Sequence, residues 1–208
     1  MSVFYAFLSK EKDIFAKNDI AMKKLMSILA ALAIAGTAFA QGSAAKFGIK
    51  SGKMVSSSEI MGQKTEAVSY FDNYGALQMS KTEMETPMGK MEMGTFQKDG
   101  KTFMVDYTQK TVQEMPAQES INYLSLDKAT IDKYKVKEVG KEKVGGKECT
   151  RYTSEISQMG QTAKVEVWVW KGIPMKTVTD FGGMSIVSEV TEFSEEAVDA
   201  SVFEIPKF

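Results

Sequence analysis

The alternation of apolar and polar positions is plainest over residues 162–180, TAKVEVWVWKGIPMKTVTD. Val165, Val167 and Val169 alternate with Glu166, Trp168 and Trp170. A period of two in β-branched and aromatic residues predicts a strand. Lys171-Gly172-Ile173-Pro174 interrupts it and residues 175–180 begin a second strand. The unit reads as a hairpin with Gly172 in the turn. Both faces of the first strand are largely apolar. Such a strand is either central to a two-layer fold or the wall of an apolar cavity.

The same rhythm runs along the chain. Strands are predicted over 53–60, 64–71, 76–85, 90–98, 102–106, 111–115, 135–144, 147–157 and 184–193. Turn signals separate them: Asp72-Asn73-Tyr74-Gly75, Thr86-Pro87-Met88-Gly89, Asp99-Gly100, Gly145-Gly146 and Gly182-Gly183. Leu77 and Met79 fall on one face of their strand, as do Met91 and Met93 of theirs. After Pro116 the pattern changes. Leu124, Leu126, Ile131 and Tyr134 stand among polar residues, and Ser125 is placed to cap a short helix over 127–134. A helical turn is expected at 200–203. Residues 41–46 are small and polar, an expected frayed start. About eleven strands with regular turn signals predict a mainly β, antiparallel barrel or sandwich, in one domain over 41–208.

The first forty residues do not share this pattern. Met22-Lys23-Lys24 is a short basic stretch, LMSILAALAI follows from Leu25, and Ala38-Phe39-Ala40 precedes Gln41. This is the layout of a secretory signal peptide, residues 22–40, cleaved after Ala40. The apolar run reaches roughly half to two-thirds of the ~20 residues a membrane span needs. Position 41 is Gln, so a lipid-modified cysteine is not expected there. Residues 1–21 carry Glu11, Asp13 and Asp19, which sit badly before an apolar core. Translation is expected to begin at Met22, and export to be to a periplasm if the cell is Gram-negative.

Charge and composition narrow the function. Removing the leader, with its five lysines and three acids, leaves 21 basic and 24 acidic residues, a net −3. A mildly acidic chain of mixed signs offers no footprint for nucleic acid or anionic lipid. There is no His and one Cys, Cys149. The absence of His removes the commonest general base and imidazole metal sites. Carboxylates are plentiful, Asp72, Asp99, Asp106, Glu166 and Asp180 among them, but no spacing selects a catalytic pair. No phosphate-cradling loop, nucleophile elbow or CxxC is present. A non-enzymatic protein without a cofactor is expected.

Three groups of residues remain as candidates. Trp168 and Trp170 share a face and line an apolar ligand cavity, with Met91 and Met93, or else plug a core. Met84, Met88, Met91 and Met93 gather round one turn among the twelve methionines after residue 40. Thioethers suit Cu(I), so a copper site is the alternative, and adaptable apolar packing is the plainer reading. Cys149 is a small buried hydrophobe, a reactive thiol or an intermolecular partner.

Several stretches carry a family resemblance: Tyr70-Phe71-Asp72-Asn73-Tyr74-Gly75, VGKEKVGGKEC from Val139, Val167-Trp168-Val169-Trp170-Lys171-Gly172-Ile173-Pro174, and Phe203-Glu204-Ile205-Pro206. They resemble exported bacterial proteins of unknown function related to the LolA/LolB lipoprotein-carrier superfamily. The resemblance implies a curved antiparallel half-barrel of about eleven strands with helices closing its concave face. It also implies that the concavity holds an acyl chain. The expected partner is therefore an apolar small molecule or lipid, with a filled-core structural or interaction protein of the cell envelope as the other reading.

Overall fold

Among the described residues eleven strands form, each close to where alternation places it; the strand expected from 135 begins at Lys137, because Lys135 caps a helix, and the one expected from 175 begins at Ile173. The computed structural model describes residues 45–60, 63–86, 89–116, 121–158, 161–180 and 185–208. Every described residue belongs to one compact unit, within Ala35–Phe208. The leader, its cleavage site and Met88 lie outside the described residues.

The strands are β1 (Gly52–Ile60), β2 (Gln63–Asp72), β3 (Leu77–Thr86), β4 (Gly89–Lys98), β5 (Lys101–Asp106) and β6 (Thr111–Met115), then β7 (Lys137–Val144), β8 (Lys147–Gln158), β9 (Gln161–Trp170), β10 (Ile173–Asp180) and β11 (Ser185–Ser194). They make one antiparallel sheet in the order β6-β5-β4-β3-β2-β1-β11-β10-β9-β8-β7. Nearly every neighbour in the sheet is a neighbour in sequence. The exception is β1 against β11, which joins the first and last strands. The sheet stays open, with β6 and β7 as its edges. Bulges at Val55/Ser56, Pro174/Lys176 and Glu138/Gly140 add twist.

The turns explain the tight meander. Asp99-Gly100, Gly145-Gly146 and Lys171-Gly172 each pair two positive φ angles, as a two-residue type I′ hairpin requires. All three lie at one end of the sheet, together with the Asn73–Gly75 turn between β2 and β3.

Residues 45–50 tie this end together. The amides of Lys46 and Phe47 donate to Tyr74 O at 2.9 and 3.1 Å, and Gly48 N donates to Lys171 O at 2.8 Å. Tyr74 N returns a bond to Lys50 O at 2.9 Å. Lys46 is therefore no part of a frayed start: it is 3% exposed. Phe47 and Ile49 enter a core with Phe71, Cys149, Trp168, Ile173 and Met175. Phe47 and Phe71 meet edge to face, 4.9 Å between centroids.

The connection from β6 to β7 carries helix α1 (Lys128–Tyr134). Its cap is Asp127, whose carboxylate accepts from Thr130 N at 2.6 Å, and not Ser125. Asp127 has the extended backbone of a cap, which Ser125, two residues earlier, cannot supply to this helix. Nothing in α1 is buried. The connection instead packs through Ile121 and Val136, both buried. The expected turn at 200–203 is the 3-10 turn Ala200–Phe203, which lies against β3 and β4.

Candidate functional site

Register decides which residues share a side of the sheet, because paired residues face the same way and successive residues face opposite ways. From Val167 the pairing runs through Thr177, Ser188 and Ser58. Ser56 lies two residues before Ser58 and pairs with Ala67, which leads to Thr82 and Met93. Val167 and Met93 therefore belong to one side, and Trp168 to the other. Met84 stands directly opposite Met91 on the valine side, with Met93 the next residue along that face.

The tryptophan side is charged. Arg151 Nη2 meets Glu166 Oε2 at 2.5 Å, Lys176 meets Glu189 at 3.0 Å, and Lys81 meets Glu92 at 2.7 Å. Trp168 lies within this array, 6% exposed. Its indole N–H donates to Glu142 Oε2 at 2.8 Å. The Arg151 guanidinium carbon is 5.1 Å and Lys176 Nζ 5.5 Å from its ring. Long cationic stems thus cover the indole. Trp170, at the strand end, lies edge-on to Phe193 at 5.3 Å and carries Lys147 and Lys171 over its ring at 4.5 and 4.8 Å.

The valine side is different. Val165, Val167 and Val169 are buried at one flank, and Met84, Met91 and Met93 at the other. Between them β1, β2, β3 and β11 carry short side chains on this face: Ser58, Ser188, Ala67, Thr82, Ser69 and Ser80. The hydroxyls are turned on one another. Ser58 Oγ bonds Ser188 Oγ at 3.0 Å and Ser69 Oγ bonds Ser80 Oγ at 2.9 Å. Each pair shares one hydrogen bond, and a row of short side chains cannot fill a layer on its own. The signal in the sequence was the small residues at i and i+2 in SSS and TEAVS, which alternation alone reads as an ordinary solvated face.

At β8 this side is covered by the β6–β7 connection. Tyr123 packs on Tyr152, 5.3 Å between centroids, and Tyr152 pairs with Val167. Burial pushes the Tyr123 phenol up to about 12. Cys149 is fully buried, with Sγ 3.5 Å from Lys147 O, and burial pushes its thiol up. That environment stabilises a thiol over a thiolate.

The four residues expected to line one cavity are thus divided. Met91 and Met93 sit together on the valine side, Trp168 on the charged side, and Trp170 at the turn end. Of the four methionines expected to gather, Met84, Met91 and Met93 share a face, and Met88 lies outside the described residues. Among the described residues, no group of three or more His, Cys, Asp or Glu is placed to hold a metal ion. No helix among them is long and apolar enough to cross a membrane.

Fold and site define an open, antiparallel, eleven-stranded β protein with one side of short and apolar side chains. The chain belongs to the family described as Domain of unknown function (DUF4412), whose model matches residues 53–173. The stretches at 70–75 and 139–149 lie within that span, the stretch at 167–174 runs to its end, and 203–206 lies beyond it. No curated protein matches the chain. Among solved structures, an uncharacterized conserved protein from Thermus thermophilus is similar at 12% identity and TM-score 0.51, over 76% of this chain and 86% of that one. MucB is similar at 12% identity and TM-score 0.50, over 78% of this chain and 59% of MucB. A chain of the Pseudomonas aeruginosa MucA/MucB complex is similar at 14% identity and TM-score 0.50, over 79% of this chain and 58% of that one. The chain spans less than two thirds of MucB. These likenesses are of fold. At that level the architecture the sequence resemblance implied is present: eleven antiparallel strands in one sheet, with one short α-helix among the described residues.

Proposed function

We propose that this protein is an exported, non-enzymatic binding protein that holds an apolar chain, such as a lipid or acyl group, against the valine side of its sheet. The observation that carries the reading is the row of short side chains on β1, β2, β3 and β11. It lies between valines on one flank and methionines on the other. An apolar occupant gains from flanks of Val and Met, and Met adapts to chains of differing length. The cost of covering the hydroxyls is reduced, because Ser58 donates to Ser188 and Ser69 to Ser80. Among the described residues no group of three or more His, Cys, Asp or Glu competes with this reading, and Met84, Met91 and Met93 serve it as an apolar flank.

Export supports the same reading, since the pattern ending at Ala38-Phe39-Ala40 is that of a cleaved leader. Intact mass of the exported protein should begin at Gln41. Recovery of Met1 or Met22 on the exported form contradicts export by cleavage.

The test of binding is a titration with a fluorescent fatty acid. Wild type should bind saturably. Ala67→Leu, which fills the row between Ser56 and Thr82, should weaken binding about tenfold or more, a loss of about 1.4 kcal/mol or greater, with little change in the urea midpoint. Absence of saturable binding by the wild type rejects the reading. Native mass spectrometry of protein from its own host then shows whether a lipid mass is retained.

A further inference from the structure

The turn end of the sheet carries a second feature, independent of the valine side. Leu124 is 43% and Tyr74 44% exposed, and they flank the segment 45–50. A Cβ added to Gly172 would meet Leu124 Cβ at 3.1 Å, and one added to Gly75 would meet Lys46 Cβ at 3.2 Å. Leu124, the Lys171-Gly172 turn, Lys46 and the Tyr74-Gly75 turn are thus successive neighbours. Trp170 adjoins them, with Lys147 and Lys171 over its ring.

The cations here differ from those on the charged side of the sheet. Arg151, Lys176 and Lys81 each meet a carboxylate. Lys147 and Lys171 meet aromatic faces instead. The nearest acids in sequence are turned elsewhere: Glu148 toward Lys141 at 3.6 Å, and Glu142 toward the Trp168 indole. Glu196, beside Ser51, accepts from the Ser194 hydroxyl. Asp72 is the one acid in the bends at 45–50 and 72–76.

Backbone strain makes the same point. Tyr74 holds φ +56 and ψ +34, and Lys171 holds φ +49. These left-handed positions favour Gly or Asn, and a bulky side chain there is strained. Tyr74 N, Tyr74 O and Lys171 O make the backbone bonds to residues 45–50, while the Lys171 ammonium rests on the Trp170 ring. The Tyr74 side chain, 44% exposed, is available for a contact outside the fold.

We infer that this end of the sheet docks on an anionic bilayer surface, with Trp170 and Tyr74 at headgroup depth, Leu124 toward the acyl boundary, and Lys147 and Lys171 on lipid phosphates. Trp and Tyr favour that depth because one end of each ring system is apolar and the other polar. Lysines set on aromatic rings rather than on carboxylates lose no ion pair when they meet a phosphate. The net negative charge of the chain does not oppose this, because surface charges act within about a Debye length, ~10 Å.

The test is co-sedimentation of the whole protein from its host with vesicles of mixed phosphatidylethanolamine and phosphatidylglycerol, against vesicles of phosphatidylcholine alone. Binding should require phosphatidylglycerol, weaken with salt and blue-shift Trp fluorescence. Lys171→Asn should weaken binding about fivefold, the equivalent of about 1 kcal/mol per lysine at such a surface. Tyr74→Asn should weaken it further. Both changes relieve backbone strain, so the urea midpoint should hold or rise, which separates lost docking from lost folding. Fatty-acid titration of the same variants should be unchanged, so failure here is distinct from failure of the binding reading. Equal sedimentation with both vesicle types, or unchanged binding by Lys171→Asn with Tyr74→Asn, overturns the inference. Sedimentation that depends on a host protein overturns it in favour of a protein partner.

Discussion

Trp168 and Met93 face opposite sides of one sheet. The pairings that carry Val167 to Met93 leave Trp168 with Arg151, Lys176 and Glu142. The indole is covered by charged stems and joined to the core at the turn end. Trp168→Ala therefore empties a packed site, and should cost roughly 3–5 kcal/mol in a urea melt. That is a third or more of the stability of a typical domain. Fatty-acid affinity of the remaining folded protein should stay within about twofold of wild type, under about 0.5 kcal/mol. A stable Trp168→Ala protein that has lost binding would move the ligand site to the tryptophan side.

The strands were legible because each combines alternation with a turn that only a few residue types make. Asp99-Gly100 and Gly145-Gly146 fix both the position and the type of their hairpins. The family resemblance was legible for the same reason, since it is carried by turns and the strands beside them. The division of Trp168 from Met91 and Met93 was not. Alternation places residues on a face within one strand, but it does not say which faces of β4 and β9 coincide six strand-steps across the sheet. That depends on every intervening register and on the bulges. Asp127 displaced Ser125 as helix cap because the backbone at 127 is extended while 128 begins the helix, a two-residue difference that polar residues in series leave undetermined. The burial of Lys46 was hidden for another reason: its neighbours, Tyr74 and Gly172, lie in distant turns.

Met84 and Met91 lie face to face across β3 and β4, with Met93 beside them. On the binding reading they are an apolar flank. Met91→Leu with Met93→Leu nearly conserves volume, so the urea midpoint should shift by less than about 1.5 kcal/mol. Competition titration should find Cu(I) bound no more tightly by wild type than by the double variant. A clear gap in affinity would establish the thioethers as a copper site, and would make the methionine flank a metal centre.

Lys46 is buried, and burial lowers its ammonium from 10.5 to about 8. The unfolded chain then binds the proton more tightly than the folded one. Between pH 8 and 10.5 the unfolded state holds more protons, so the contribution of this group to stability rises with pH across that window. Below pH 8 both states are charged and the full cost of burying the ammonium is present. Lys46→Met should therefore be more stable than wild type at about pH 7, by about 1–2 kcal/mol once the solvent near the amine is allowed for. The difference should shrink as pH approaches 10.5. Urea melts of both proteins at about pH 7 and about pH 10 measure it. A gap that is absent at neutral pH, or that widens with pH, contradicts the assignment.

Gly172 and Gly146 occupy the same place in two like turns, with φ of +80 and +75, and differ in what stands over them. A Cβ on Gly146 meets nothing within 4 Å, whereas a Cβ on Gly172 meets Lys46 O at 2.2 Å. Gly146→Ala should carry the conformational cost alone, about 1–2 kcal/mol. Gly172→Ala adds a backbone clash that no rotamer relieves, so the segment 45–50 must lift from the turn. The bond from Gly48 N to Lys171 O should then break, and Phe47 and Ile49 should lose their places beside Phe71. The loss should exceed that of Gly146→Ala by roughly 2 kcal/mol or more, as expected when buried apolar side chains are released. Hydrogen exchange should quicken at the amides of Phe47 and Gly48, and trypsin should cut at Lys46 or Lys50 before the sheet unfolds. Equal midpoints for the two variants, with the 46–50 amides still protected, would mean that the segment does not hold this end of the sheet closed.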